Sequence, residues 1–193
     1  MIKDLTEAYK EYPNWACQTC GIVLNKDYID AKLAELDDFI NSLNFCDPIQ
    51  SWEEALATLE SVLHPNNYLC MKIKRTLIQL YGNKNKFKLP EDLPKIRRKI
   101  ELCQNYLDVY SKVDDGYSAW RGKVLEELVS PMMLQSQYLL QNNLMDKESY
   151  VTKYKNCIRM IKEASKCRQY EQQSSANLYA WFLKEINDVI CNT

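Results

Sequence analysis

Residues 62–82 read Val-Leu-His-Pro-Asn-Asn-Tyr-Leu-Cys-Met-Lys-Ile-Lys-Arg-Thr-Leu-Ile-Gln-Leu-Tyr-Gly, the pattern of a helix end, a sharp turn and a second amphipathic helix. Pro65 disfavours helical dihedrals at His64, so the first helix ends before it. Asn66 or Asn67 can cap the next helix with a side-chain oxygen. Beyond the cap, Leu69, Ile73, Leu77 and Leu80 or Tyr81 recur at helical spacing and form one apolar stripe. Gly82 supplies the stop.

The same pattern extends in both directions. Only four glycines and six prolines occur in 193 residues, beside many good helix formers, which points to an all-α protein of helices joined by short turns. Helices are expected near 26–44, 51–63, 66–81, 91–113, 115–144, 146–170 and 174–191. Ser51 and Glu54 have capping-box spacing ahead of Ala55, Leu56, Leu59 and Val62. Asp146 opens the sixth helix, and Glu148 favours its positive end. Pro90 and Pro94 fit the first turn of the fourth, whose stripe is Ile96, Ile100, Cys103, Leu107 and Tyr110. Inside the fifth helix, Gly122 permits close helix contact, while Pro131 removes a hydrogen bond and should bend or break the helix near Val129. Residues 1–25 read as a linker or a truncated zinc loop, and 26–193 as one helical domain. Each amphipathic helix can bury its stripe only against neighbours, so an antiparallel bundle or a helix-pair stack is expected; periodicity alone does not choose between them.

A chain of this length buries about 70% of its unfolded surface without needing a covalent staple. The first residues lack the apolar core of a secretory signal, and no run is long enough to span a bilayer, so the expected location is the cytoplasm or nucleus. There the eight cysteines stay thiols, and Cys70, Cys103, Cys157 and Cys167, set within helical patterns, act as small buried hydrophobes. Charge is unevenly placed. Residues 1–64 carry twelve acidic and four basic side chains, whereas 65–100 carry ten basic and two acidic. Such segregation steers a charged partner or pairs one half of the molecule with the other.

Few residues offer chemistry. Cys17 and Cys20 have the Cys-x-x-Cys spacing that grips one zinc, but a structural site takes four ligands and no second pair follows. Cys46 or His64 could complete it only after folding. A redox reading of the pair would require a preceding strand and a helix N-terminus at the first thiol, a pattern this segment does not show. His64, the sole histidine, has no nucleophile or carboxylate beside it and reads as a turn residue. The basic run Lys72, Lys74, Arg75, Lys84, Lys86, Lys88, Lys95, Arg97, Arg98 and Lys99 alternates with apolar positions. A solvated face, or pairing with the acidic half, is expected there rather than nucleic-acid binding. Tyr106, Tyr110, Tyr117, Trp120, Tyr138, Tyr150, Tyr154, Tyr170, Tyr179 and Trp181 place amphipathic rings on helices, as core spacers or as lining of a concave groove.

Three segments carry a family resemblance. The His64-Pro65 turn before a helix ending Leu80-Tyr81-Gly82 resembles the C-terminal helical region of the SET-and-MYND (SMYD) lysine methyltransferase-like family. Trp15-Ala16-Cys17-Gln18-Thr19-Cys20-Gly21 is similar to the second zinc-ligand pair after the SET domain in arthropod-type members. Trp120-Arg121-Gly122-Lys123-Val124-Leu125-Glu126-Glu127-Leu128 is similar to a later helix of the same region. The resemblance spans roughly residues 14–190 and implies a tetratricopeptide-like helix stack, although no repeat of about 34 residues stands out. It also implies zinc at Cys17 and Cys20 with the other two ligands supplied upstream, and a protein or peptide partner, heat-shock chaperones among them. The family's Asn-His motif, which helps bind S-adenosylmethionine, is absent, as is the MYND finger. The chain alone is therefore expected to be a non-catalytic interaction module with no cofactor of its own. The alternative is the C-terminal part of a longer protein-lysine methyltransferase, where it would shape the substrate cleft.

Overall fold

In the computed structural model, residues 14–16, 21–43, 48–82, 87–113, 116 and 118–168 are described. They fold as six helices and one minimal hairpin, an all-α architecture. The chain divides into two compact units, Met1–Leu63 and His64–Thr193, so the boundary falls where the charge pattern changes sign.

In the first unit, strands β1 (Asn14–Ala16) and β2 (Val23–Asn25) pair antiparallel, with Asn14 opposite Asn25 and Ala16 opposite Val23. Within the segment read as irregular before residue 26, the described residues thus include this minimal ribbon. Three-residue strands leave too little alternation for a periodicity argument to detect. Gly21 precedes β2 at φ +72°, a conformation natural to glycine. Asn25 ends the strand and caps helix α1 (Lys26–Ser42), its Oδ1 accepting the Asp27 N–H at 2.7 Å. Leu36 and Ile40 are the buried residues of α1.

Helix α2 (Pro48–Glu60) starts a turn earlier than expected, with Pro48 at the first helical position, where its missing N–H costs nothing. The Ser51–Glu54 capping box is therefore not at the helix start, and the Glu54 carboxylate accepts from Gln50 Nε2 at 2.8 Å. Ala55, Leu56 and Leu59 are buried.

The second unit opens with the expected turn. Asn67 caps α3 (Tyr68–Leu80), accepting the Leu69 N–H at 3.0 Å, and Gly82 ends it at φ +77°. Helices α4 (Leu93–Val113), α5 (Ala119–Gln141) and α6 (Lys147–Arg168) follow. Consecutive helices pack on one another, and α3 also reaches α5. Pro94 lies in the first turn of α4, whereas Pro90 lies outside it. Residues packed from both sides widen the buried face of α4 to Ile96, Lys99, Leu102, Cys103 and Tyr106, leaving Ile100, Leu107 and Tyr110 half-buried. The helix α5 runs through Pro131 unbroken. It ends in a Schellman motif: Asn143, at φ +56°, donates to Leu140 O at 3.1 Å, and Leu144 donates to Leu139 O at 2.8 Å.

At Gly122, α5 packs closely against α6. A Cβ there would stand 2.8 Å from Cys167 Cβ and 3.1 Å from the Ala164 carbonyl oxygen, so the glycine sets the helix spacing. Further along the same pair, Val129, Met133, Tyr150, Tyr154, Cys157 and Ile161 close a core cluster. Asp146 caps α6, accepting the Ser149 N–H at 2.7 Å, and that hydrogen bond holds its carboxyl below the usual range. No helix among the described residues is long and apolar enough to cross a membrane. The seventh expected helix, 174–191, lies outside the described residues.

Candidate interaction site around Trp120

Ser118 caps α5 by accepting the Arg121 N–H at 3.2 Å, and this places Trp120 in the first turn. The indole N–H donates to the Tyr106 hydroxyl of α4 at 2.9 Å, and the two rings meet edge to face at 6.5 Å and 73°. Tyr106 in turn stacks on Tyr110 at 5.0 Å. Arg75, from the exposed side of α3, lays its guanidinium 3.6 Å from the centroid of the Trp120 ring, and Lys123 approaches to 5.2 Å. Three helices thus build a half-exposed cluster of three rings and two cations. Neither Arg75 nor Lys123 has a carboxylate or hydrogen-bond partner among the described residues. Their donors are open to an incoming anionic or carbonyl-rich ligand. Burial, reinforced by Tyr110, pushes the Tyr106 phenol up to about 12, so it stays a neutral hydrogen-bonding group throughout the physiological range.

Polar ties fix this platform from behind. The Lys74 ammonium of α3, 4% exposed, donates to the Pro65 carbonyl at 2.9 Å and to Asn105 Oδ1 of α4 at 3.0 Å. Lys99 is fully buried. It donates to the Gly82 carbonyl at the end of α3 and pairs with Glu127 of α5 at 2.5 Å. Arg121 holds Glu163 of α6 through Nε at 2.7 Å and Nη2 at 2.6 Å. Each buried charge has charge-assisted partners, as burial requires.

The basic run therefore does not form one solvated face. Lys74 and Lys99 point inward, Lys95 pairs with Asp92 at 2.8 Å, Arg98 pairs with Glu101 at 3.0 Å, and Arg75 covers Trp120. Lys84 and Lys86 lie outside the described residues. His64 is exposed in the turn, with Nδ1 accepting the Asn66 N–H at 3.1 Å. Cys17, Cys20 and Cys46 fall outside the described residues, among which no group of three or more His, Cys, Asp or Glu could hold a metal ion.

The helical cysteines are buried, as expected. Desolvation pushes the Cys103 thiol up to about 12 and Cys157 to about 11, and raises Cys167. Such thiols are poor nucleophiles near neutral pH. Tyr106, Tyr110 and Trp120 were among the rings expected to serve as core spacers or as lining of a concave groove. Their union with Arg75 was not foreseen, because a contact between α3 and α5 leaves no trace in local spacing. No protein-family model, curated protein or solved structure matches the chain.

Proposed function

We propose that this chain is a non-catalytic helical interaction module, similar to the C-terminal region of SMYD-like proteins, whose partner-binding surface centres on Trp120. The Arg75–Trp120 stack carries this reading. Tryptophan, tyrosine and arginine supply most binding energy at protein interfaces, and here they converge from three helices with the cationic donors facing outward. The family resemblance of the His64-Pro65 turn and of the helix end at Leu80-Tyr81-Gly82 supports the same reading. Tetratricopeptide-like stacking of α3 to α6, residence in the cytoplasm or nucleus, and a protein or peptide partner such as a heat-shock chaperone belong to the same proposal.

Titration of the chain with acidic chaperone-tail peptides, followed by Trp fluorescence and calorimetry, tests it. Arg75→Ala and Trp120→Ala should each weaken binding by about tenfold or more, with circular dichroism unchanged. Binding that is indifferent to both substitutions sinks the assignment of this surface. Incubation of the isolated chain with S-adenosylmethionine and lysine peptides should give no methylated product. Methyl transfer by the 193-residue chain would overturn the non-catalytic reading.

A further inference from the structure

Arg75 and Lys123 border the same indole, yet no carboxylate among the described residues neutralises either of them. A guanidinium carbon 3.6 Å from a ring centroid belongs to a group lying flat on the ring, so the N–H edges of Arg75 point sideways, past the rim of the indole. Stacking thus fixes a fork of donors without using them. Lys123 is exposed and follows Trp120 by three positions, and its flexible stem lets the ammonium meet an anion at that rim. The acidic residues described nearby are engaged or turned away. Helix α3 carries Lys72, Lys74 and Arg75 and no acidic residue. Glu127 is paired with Lys99, Glu163 is held by Arg121, and Glu126 is not free either. Asp108 stands about 200° around α4 from Tyr106. Trp120 lies in the first turn of α5, so the positive end of a 23-residue helix falls at the same place.

We infer that the anion taken at Arg75 and Lys123 is the phosphoryl group of a phosphorylated serine or threonine in a partner segment. The inference rests on the Trp120 surface proposed above and names the chemistry of its ligand. A phosphoryl group carries a charge of about −1.5 to −2 at neutral pH and three acceptor oxygens. That answers both cations. The Arg75 fork takes two oxygens side by side, and Lys123 meets the third as a point charge. A carboxylate has a single charge and two oxygens, so a bidentate pair with Arg75 leaves Lys123 unanswered. Phosphotyrosine fits less well, because Arg75 already covers the indole face on which its ring would stack. The Tyr106 hydroxyl accepts the Trp120 N–H, and burial keeps the phenol from ionising, so no phenolate competes with the incoming anion.

Immobilised peptide pools of random sequence, with phosphoserine, glutamate or serine fixed at the central position, test this against the full chain. The phosphoserine pool should retain wild type about tenfold or more above the glutamate pool, and phosphatase treatment should remove the difference. Arg75→Gln should abolish the preference and Lys123→Gln should reduce it, with circular dichroism unchanged because both side chains are exposed. Should Arg75→Gln lose its fold, Lys123→Gln decides in its place. Lys155→Gln, which removes one cation from the exposed face of α6, should leave the preference intact. Equal retention by the phosphoserine and glutamate pools, lost in Trp120→Ala, overturns the phosphate inference while the Trp120 surface stands as an acidic-peptide site. Retention by none of the pools overturns it as well. A preference that survives Arg75→Gln, or that Lys155→Gln lowers equally, also overturns it, since overall charge is then the cause. The Trp120 surface itself fails if retention by every pool that binds is indifferent to Trp120→Ala.

Discussion

At the scale of the single residue, Lys99 shows how burial changes what a charge does. Its ammonium has no solvent contact and is held by the Gly82 carbonyl and Glu127. Lys99→Met keeps much of the stem's packing but leaves Glu127 without its counter-charge. It should cost about 3 kcal/mol, discounted from the top of the range because the Glu127 side chain is 29% exposed. A urea midpoint within error of wild type would show the pair to be energetically silent. The thiols make a second prediction at this scale. Iodoacetamide at pH 8 should spare Cys70, Cys103, Cys157 and Cys167 until denaturant is added, as read by peptide mass spectrometry. The sequence foretold the fate of these thiols, because a cysteine within an apolar helical stripe has one outcome. For Lys74 and Lys99 it pointed the wrong way, since a lysine beside apolar positions can lie at the solvent edge or be covered by a third helix, and spacing is the same in both cases.

Among the elements, helix ends were the most legible features and helix contacts the least. The Pro65 break, the asparagine cap and the Gly82 stop are local consequences of dihedral preference and orphan donors, so they needed no neighbours to be read. Asn67→Ala should therefore cost about 1 kcal/mol of stability through loss of the cap on Leu69 N–H. At Pro131 the reading allowed a bend or a break, and a break does not occur. Locally it should interrupt α5, yet the helix continues and the proline is fully buried. Helix packing can outweigh a missing hydrogen bond. At Gly122 the expectation of close contact held, and its magnitude came from α6. Gly122→Ala would gain about 1 kcal/mol of helix propensity, but the new methyl meets Cys167 Cβ and the Ala164 carbonyl oxygen. Overpacking typically costs about 1–3 kcal/mol, so a net loss of up to about 2 kcal/mol is expected. Thermal melts that show stabilisation instead would mean that α5 and α6 can separate without penalty.

For the whole molecule, the buried acids predict alkaline rather than neutral sensitivity. Cys103 and Cys157 ionise near 9.0 when free, but only at about 12 and about 11 in the fold, and Tyr106 moves from 10.0 to about 12, each chiefly because burial penalises the charged form. Below pH 9 all three are neutral in both states and their contribution is fully present. As pH rises from there through the folded-state values, the unfolded chain releases protons first and stability is lost. The urea midpoint should stay level from pH 7 to 8.5 and fall above about 9, with a shallower fall in Cys103→Ala; a midpoint that is flat to pH 11 would refute the assignment. The sequence by itself determined the helices of the described residues, the Asn67 cap and Gly82 stop of α3, and the segregation of acidic from basic residues, because these follow from preferences within a few neighbouring positions or from composition. Only the tertiary structure decided which lysines went inside, which arginine met Trp120 and how closely α5 approached α6. Those outcomes depend on side chains from separate helices sharing one volume, a constraint that spacing along a single helix does not encode.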